Sequence, residues 1–397
     1  MLAEHNDQRI ALGLPDHVAF SDFLADISAL GVVPVDRGGL RYALTAARSN
    51  PRWWLLPLDS RRAAAAGLEM LQPVTTAATL AKTVARGLAR FGPHGLLGGA
   101  RFRLSGWPDL DGAFEGRIAH VAYFTGTHGP HRKTALQVMN VDGKILGYAK
   151  LSRADHVRPY LRNEAKMLAR VAALGLKTAE APELLATRDD GALTLLVTDS
   201  RKSREHSAPL VPGPEHIAFL RELHACTGRG GAFDALDTLS RRASDLAPLA
   251  GRDWSTRLAR ADTVLRPSAD VIPVCLNHGD FTPWNSFLQG GRLYVFDWEY
   301  GNSTWPVGFD LVHFMLATIP PDRQVDSLPL LTEALASTHF DGDAEAASRA
   351  LLLSLVCHAV FYMNRLAEVA APLTDWPDAP VRGAMIDRLL LRMEVMP

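Results

Sequence analysis

Apolar residues along the 397-residue chain change their period several times, and no fixed-length repeat underlies them. Residues 52–58 (RWWLLPL) are a nearly unbroken apolar run, which predicts a buried strand, and the alanine-rich stretch 61–71 predicts a helix. A second helix is predicted over 75–91, stopped by Gly92-Pro93. On it Lys82, Arg86 and Arg90 recur every four residues, opposite Leu80, Val84, Leu88 and Phe91. This is expected to be a surface helix with a solvated charged face. A basic helix lying on a membrane surface is the alternative reading. Residues 95–99 read as a linker.

From about residue 117 the pattern becomes strand-like. Strands are predicted over 118–125, 134–140 and 145–151; the last two flank Asp142-Gly143, a strong hairpin signal. The first two are joined by Gly126-Thr127-His128-Gly129-Pro130-His131-Arg132-Lys133. A helix over 159–174, a strand over 193–198 and a polar Pro/Gly loop over 202–214 follow. Beyond that the chain reads as mainly helical, except around 270–305.

Composition narrows the class. With 47% hydrophobic and 21% charged residues the chain is neither disordered nor a collagen-like fibre nor a coiled-coil rod. The 42 basic residues nearly cancel the 43 acidic ones, so no global charge points to nucleic acid. The balance is uneven: residues 1–200 carry 24 basic and 19 acidic side chains, residues 201–397 carry 18 and 24. Cys226, Cys275 and Cys357 are odd in number and lack a CxxC pair, which argues against a disulfide framework or zinc ribbon and for a reducing, cytoplasmic setting. The first ten residues show no basic stretch leading into an apolar core, so no leader is expected. The apolar stretch 350–363 follows Arg349, contains His358 and is expected to be too short to cross a bilayer.

The chemistry concentrates in Leu276-Asn277-His278-Gly279-Asp280-Phe281-Thr282-Pro283-Trp284-Asn285 and Tyr294-Val295-Phe296-Asp297-Trp298-Glu299-Tyr300. Two short apolar runs deliver Asp280, Asn285 and Asp297 to one edge. Carboxylate and amide oxygens suit magnesium, which takes few protein ligands. A remaining carboxylate can accept a hydroxyl proton. Upstream, Lys150 lies on the third predicted strand and Glu164 lies fourteen residues later on the next helix.

These motifs resemble those of the kinase-like phosphotransferases, the group of aminoglycoside phosphotransferases and choline/ethanolamine kinases. The family's catalytic loop reads His-Gly-Asp, four residues, Asn, as His278, Gly279, Asp280 and Asn285 do here. The resemblance implies that Asp280 is the catalytic base, that Asn285 and Asp297 hold magnesium, and that Lys150, paired with Glu164, binds the phosphates of ATP. Asp310 matches a position that braces the catalytic loop. Asp297-Trp298-Glu299-Tyr300-Gly301, leading to Phe309-Asp310-Leu311, looks closest to the choline-kinase side. Gly126 and Gly129 are the candidate phosphate loop, although no GxGxxG is present and a plain turn explains them nearly as well. The adenine hinge is expected near 197–200. Residues 217–224 are similar to the helix after the hinge, with His224 in the core.

The implied fold is α+β and bilobal: an antiparallel-sheet N-lobe over 101–200 and a mainly helical C-lobe over 201–397, preceded by an extra α/β region, 1–100. The implied activity is transfer of the ATP γ-phosphate to a hydroxyl of a small acceptor such as an amino alcohol, sugar or aminoglycoside. Trp284, Trp298, Tyr300 and Trp305, with Glu299, could seat an acceptor ammonium or could pack the core. The rival reading is a catalytically silent nucleotide-binding scaffold or regulatory pseudokinase. Protein-kinase activity ranks third, because the chain has neither an HRD loop nor an activation-loop landmark of the APE type.

Overall fold

A computed structural model describes residues 15–46, 51–71, 76–91, 100–114, 116–127, 129–202 and 207–395. The Gly92-Pro93 stop, the 95–99 linker and His128 lie outside the described residues. The chain divides into two compact units, residues 1–169 with 182–204, and residues 170–181 with 205–397.

In chain order the first stretch runs α1 (Val18–Ser28), β1 (Val33–Val35), β2 (Leu40–Ala46), β3 (Trp53–Pro57), α2 (Arg61–Gly67), α3 (Thr76–Phe91), β4 (Ala100–Ser105), β5 (His120–Phe124), β6 (Thr134–Met139), β7 (Ile145–Ser152) and α4 (Arg158–Leu174). The two-residue β8 (Ala179–Glu180) falls in the second unit, and β9 (Leu184–Asp189) and β10 (Thr194–Asp199) return to the first. The first unit is built on a nine-stranded antiparallel sheet, order β1-β4-β2-β3-β5-β6-β7-β10-β9. The expected boundary near residue 100 does not interrupt it: β3 pairs with β5 through Trp54↔Phe124 and Leu55↔Tyr123. The physical reason lies in β3 itself. Trp54, Leu55 and Leu56 are all buried, so this strand needs neighbours on both edges and both faces.

One face of the sheet is covered by α1, whose Phe20, Phe23 and Ile27 pack with Tyr42, Leu55, Tyr123, Leu136 and Val197. Each fully buried phenylalanine contributes about 2–3 kcal/mol. α2 lies close because its contact residues are alanines: Ala63 and Ala66 meet Ala122 and Met139, while Ala64 and Ala65 meet Ala43 and Leu56.

The orientation of α3 corrects the sequence expectation. Two of its three basic side chains are on the packed side, while Arg90 is exposed: Lys82 Nζ lies 3.0 Å from Glu69 Oε2 and 2.8 Å from the Leu71 carbonyl oxygen, and Arg86 Nη1 lies 3.1 Å from Glu69 Oε1. Glu69 follows α2 with its side chain 3% exposed. Leu80, Val84 and Phe91 are instead 65%, 55% and 79% exposed. Stranding a buried carboxylate costs about 3–5 kcal/mol. On the same side as Lys82 and Arg86, Ala89 packs with Ala43, Leu56 and Leu58, and Ala85 lies against that cluster.

The second unit continues with α5 (Pro214–Thr227), α6 (Phe233–Asp245), α7 (Ala247–Leu265), β11 (Val274–Asn277), β12 (Ser286–Gln289), β13 (Arg292–Val295), β14 (Asn302–Pro306), α8 (Phe309–Thr318), α9 (Leu328–His339), α10 (Ala344–Ala367) and α11 (Ala379–Val395). β11 pairs with β14, and β12, β13 and β8 form a second small sheet. α10 is longer than the apolar stretch 350–363 suggested. Its 24 residues are long and apolar enough to cross a membrane by length and composition, but 72% of its most apolar window is buried. It packs against α7, α9 and α11 as a core helix.

Candidate active site

Every residue of β11 is buried, and the strand ends by delivering His278-Gly279-Asp280. Gly279 has φ +86°, and a Cβ there would collide with the Tyr300 carbonyl oxygen, so no other residue fits. Asp310, in the first turn of α8 and 1% exposed, holds this loop from behind. Its Oδ2 accepts the His278 N–H at 2.6 Å and its Oδ1 the Gly279 N–H at 2.9 Å. Burial pushes the Asp310 carboxyl up, and the two N–H groups it accepts from pull it partly back. The bracing role expected for Asp310 is thus present in the geometry.

His278 is fully buried and structural. Its Nε2 donates to the Phe296 carbonyl oxygen at 2.9 Å, and its Nδ1 accepts the Asp280 N–H at 3.2 Å. Those two partners dictate a neutral ring protonated at Nε2.

Asn285 Nδ2 donates to the Asp280 carbonyl oxygen at 2.9 Å and to Asp280 Oδ2 at 2.8 Å. Both partners are acceptors, which fixes the amide orientation and turns Oδ1 the other way. The β12–β13 hairpin then sets Asp297. Ser286 pairs with Val295, and the Phe296 N–H donates to the Asn285 carbonyl oxygen at 3.0 Å, so Asn285 and Asp297 flank the same open end. Asp297 is left-handed (φ 71°, ψ 54°), a conformation uncommon outside glycine and concentrated at functional sites. Carboxylate oxygens of Asp297 and Glu299 approach within 4.8 Å.

The sequence reading missed a further neighbour of Asp280. His313 Nε2 lies 2.9 Å from Asp280 Oδ1. The available signal was spacing: Asp310 and His313 stand three apart on α8, hence on one face.

In the first unit Lys150 Nζ donates to both Glu164 oxygens, at 2.7 and 2.9 Å. Lys150 sits in β7 between Ala135 of β6 and Leu196 of β10, and the Glu164 side chain on α4 is 2% exposed. Of the candidate loop glycines, Gly126 (φ +84°) is demanded by the turn, since a Cβ would strike the Lys133 carbonyl oxygen; Gly129 has open space on its Cβ side. The loop's base is clamped by a second group the sequence reading missed. Buried Asp26 of α1 pairs with Arg132 at 2.7 Å and Arg153 at 3.0 Å, and accepts from Thr134 Oγ1 at 2.7 Å.

The aromatic cluster separates into different roles. Trp298 is fully buried against His278, with its indole N–H on the Val295 carbonyl oxygen. Trp305 packs on Phe309 and Phe361, and the face of Tyr300 is already met by the Arg365 guanidinium at 5.1 Å. Trp284, in the loop after Asp280, is 37% exposed. His224 on α5 lies ring to ring with His339, and burial pulls its pKa down, in keeping with a packing role.

A braced His-Gly-Asp loop, a hairpin that sets an asparagine beside an aspartate, and a strand lysine chelated by a helix glutamate are the features on which the resemblance to the kinase-like phosphotransferases rests. Residues 148–343, just under half of the chain, match the model of the phosphotransferase enzyme family (APH), so the resemblance expected from the motifs is borne out over that span. No curated protein matches the sequence. Among solved structures, the chain is similar to the GDP complex of an aminoglycoside 2'-phosphotransferase-IIIa (12% identity, TM-score 0.45, 71% of this chain and 96% of that one). It is similar also to a spectinomycin phosphotransferase with ADP and spectinomycin (10%, 0.36, 70% and 94%) and to a glucosamine kinase (14%, 0.28, 92% and 90%). Likeness at this level leaves substrate and site to be decided by this chain's own residues.

Proposed function

We propose that the chain is an ATP-dependent phosphotransferase acting on a hydroxyl of a small molecule, of the amino alcohol, sugar or aminoglycoside-like kind. The observation that carries this reading is the setting of Asp280. Its carboxylate stands on a loop without conformational freedom, with Oδ2 held by Asn285 and Oδ1 by His313. As the acceptor oxygen bonds to the γ-phosphorus and the bond to the ADP oxygen breaks, the hydroxyl proton passes to Asp280. Lys150, oriented by Glu164, would hold the α/β-phosphates, with the backbone at Gly126 and Gly129 close to them.

Magnesium fits the donor set, because both amide hydrogens of Asn285 go to Asp280 and leave its Oδ1 for a hard cation beside the Asp297 carboxylate. When bound, the ion supplies charge neutralisation on the phosphates; Asn285 and Asp297 are the residues that would hold it.

The test is ADP formation from magnesium-ATP by purified protein against amino alcohols, monosaccharides and aminoglycosides. Acceptor-dependent ADP with a phosphorylated product is the expected result. Nucleotide binding with no transfer to any acceptor would favour the silent scaffold, and no nucleotide binding would remove the assignment.

A further inference from the structure

We propose that His313 is the positioning residue for Asp280, fixing the plane of its carboxylate; the proposal rests on reading Asp280 as the base. A carboxylate's terminal torsion is broad and nearly two-fold when nothing holds it. Here it is held at both ends, by Asn285 Nδ2 on Oδ2 at 2.8 Å and by His313 Nε2 on Oδ1 at 2.9 Å. An ionised carboxylate only accepts, so the ring nitrogen facing it carries the hydrogen. Each oxygen keeps a further lone pair, whose direction is set by these two bonds.

His313 is itself immobilised. Its side chain is 12% exposed, against 29% for Asp280. Its ring lies parallel to Phe309 at 6.1 Å and against His358 of α10 at 5.3 Å. His358 is buried and held well below its ordinary pKa by that burial, with Arg382 adding to the effect, so the wall behind His313 is an uncharged ring. α8 therefore does two jobs one turn apart: Asp310 fixes the loop backbone, and His313 fixes the side chain that the loop presents. This arrangement makes base alignment a property of one rigid helix, independent of nucleotide.

Two readouts test it. In phosphate transfer from magnesium-ATP, to whichever acceptor of the panel responds or to water, His313→Ala should lower kcat about 10- to 100-fold while KM for ATP stays within about twofold. His313→Gln should recover most of the loss, because its amide N–H falls near the place of the ring Nε2–H. In full-length protein labelled with ¹⁵N-histidine, the His313 ring should show an Nε2–H form whose resonance moves in Asp280→Asn. The proposal is overturned if His313→Ala keeps its kcat, if glutamine does no better than alanine, or if the His313 resonance ignores Asp280→Asn. Wild-type protein that transfers phosphate to nothing, water included, would remove the phosphotransferase reading and the positioning role with it. The ring resonance, which needs no turnover, still tells whether the hydrogen bond exists.

Discussion

At the scale of single residues, the site is defined by groups that have no substitute. Gly279 combines a left-handed φ with contact against the Tyr300 carbonyl. Gly279→Ala is therefore expected to lower unfolding stability by about 1–3 kcal/mol and to remove activity, measured by chemical denaturation and ADP release. Asp297→Ala should abolish the magnesium dependence of nucleotide affinity in titration calorimetry, while nucleotide titrated without magnesium binds as to wild type. Equal magnesium-ATP affinity in the two proteins would remove the metal role proposed for Asp297. These residues were legible in the sequence because the chemistry demands particular types in a particular order: a base, an amide, a carboxylate. His313 and Asp26 were not legible in that way. Each is a common residue type whose meaning depends on what lies across from it, Asp280 in one case and Arg132 with Arg153 in the other.

At the scale of elements, period and turn chemistry served well where they were strong. The strands at 118–151 and the helix after them lie where the alternation and Asp142-Gly143 placed them, as β5, β6, β7 and α4. β9 escaped notice because its sequence, LLATRD, alternates half-buried and exposed positions with charges among them, as edge strands do. The orientation of α3 escaped for another reason: a helical wheel shows two faces without saying which is packed, and that was decided by Glu69, outside the helix. Two cations meet this one carboxylate, while Lys202 Nζ reaches the Glu69 backbone carbonyl oxygen at 3.0 Å and burial lowers the Lys202 pKa to about 8. Glu69→Ala should consequently cost about 3–5 kcal/mol, read as a drop in the denaturation midpoint. Phe91→Ser, on the exposed stripe, should change stability by less than about 0.5 kcal/mol. The reverse order of these two effects would mean that α3 packs by its apolar face.

At the scale of the whole molecule, the sequence divided the chain by composition and motif, whereas hydrogen bonding draws the strands of residues 33–57 into the same sheet as those of 120–199. Doubly buried strands such as β3 reveal that they need partners but not which ones. The buried histidines give the molecule a predictable acid sensitivity. His216, His224 and His358 have their pKa lowered by burial, and His339 is lowered from 6.5 to about 3. A depressed histidine leaves stability intact above 6.5; below that the unfolded chain takes up a proton that the folded chain refuses. At pH 5, His339 alone is then expected to cost about 2 kcal/mol relative to pH 7, and His339→Gln should flatten the fall of Tm between those values. A Tm independent of pH across that window would show that these rings are open to water. The central claim, that Asp280 takes the hydroxyl proton in phosphate transfer, is tested most directly by measuring kcat and nucleotide Kd side by side for wild type and Asp280→Asn. The account predicts a loss in kcat of about 10²- to 10⁴-fold with Kd unchanged; an Asp280→Asn protein that still turns over near the wild-type rate would contradict it.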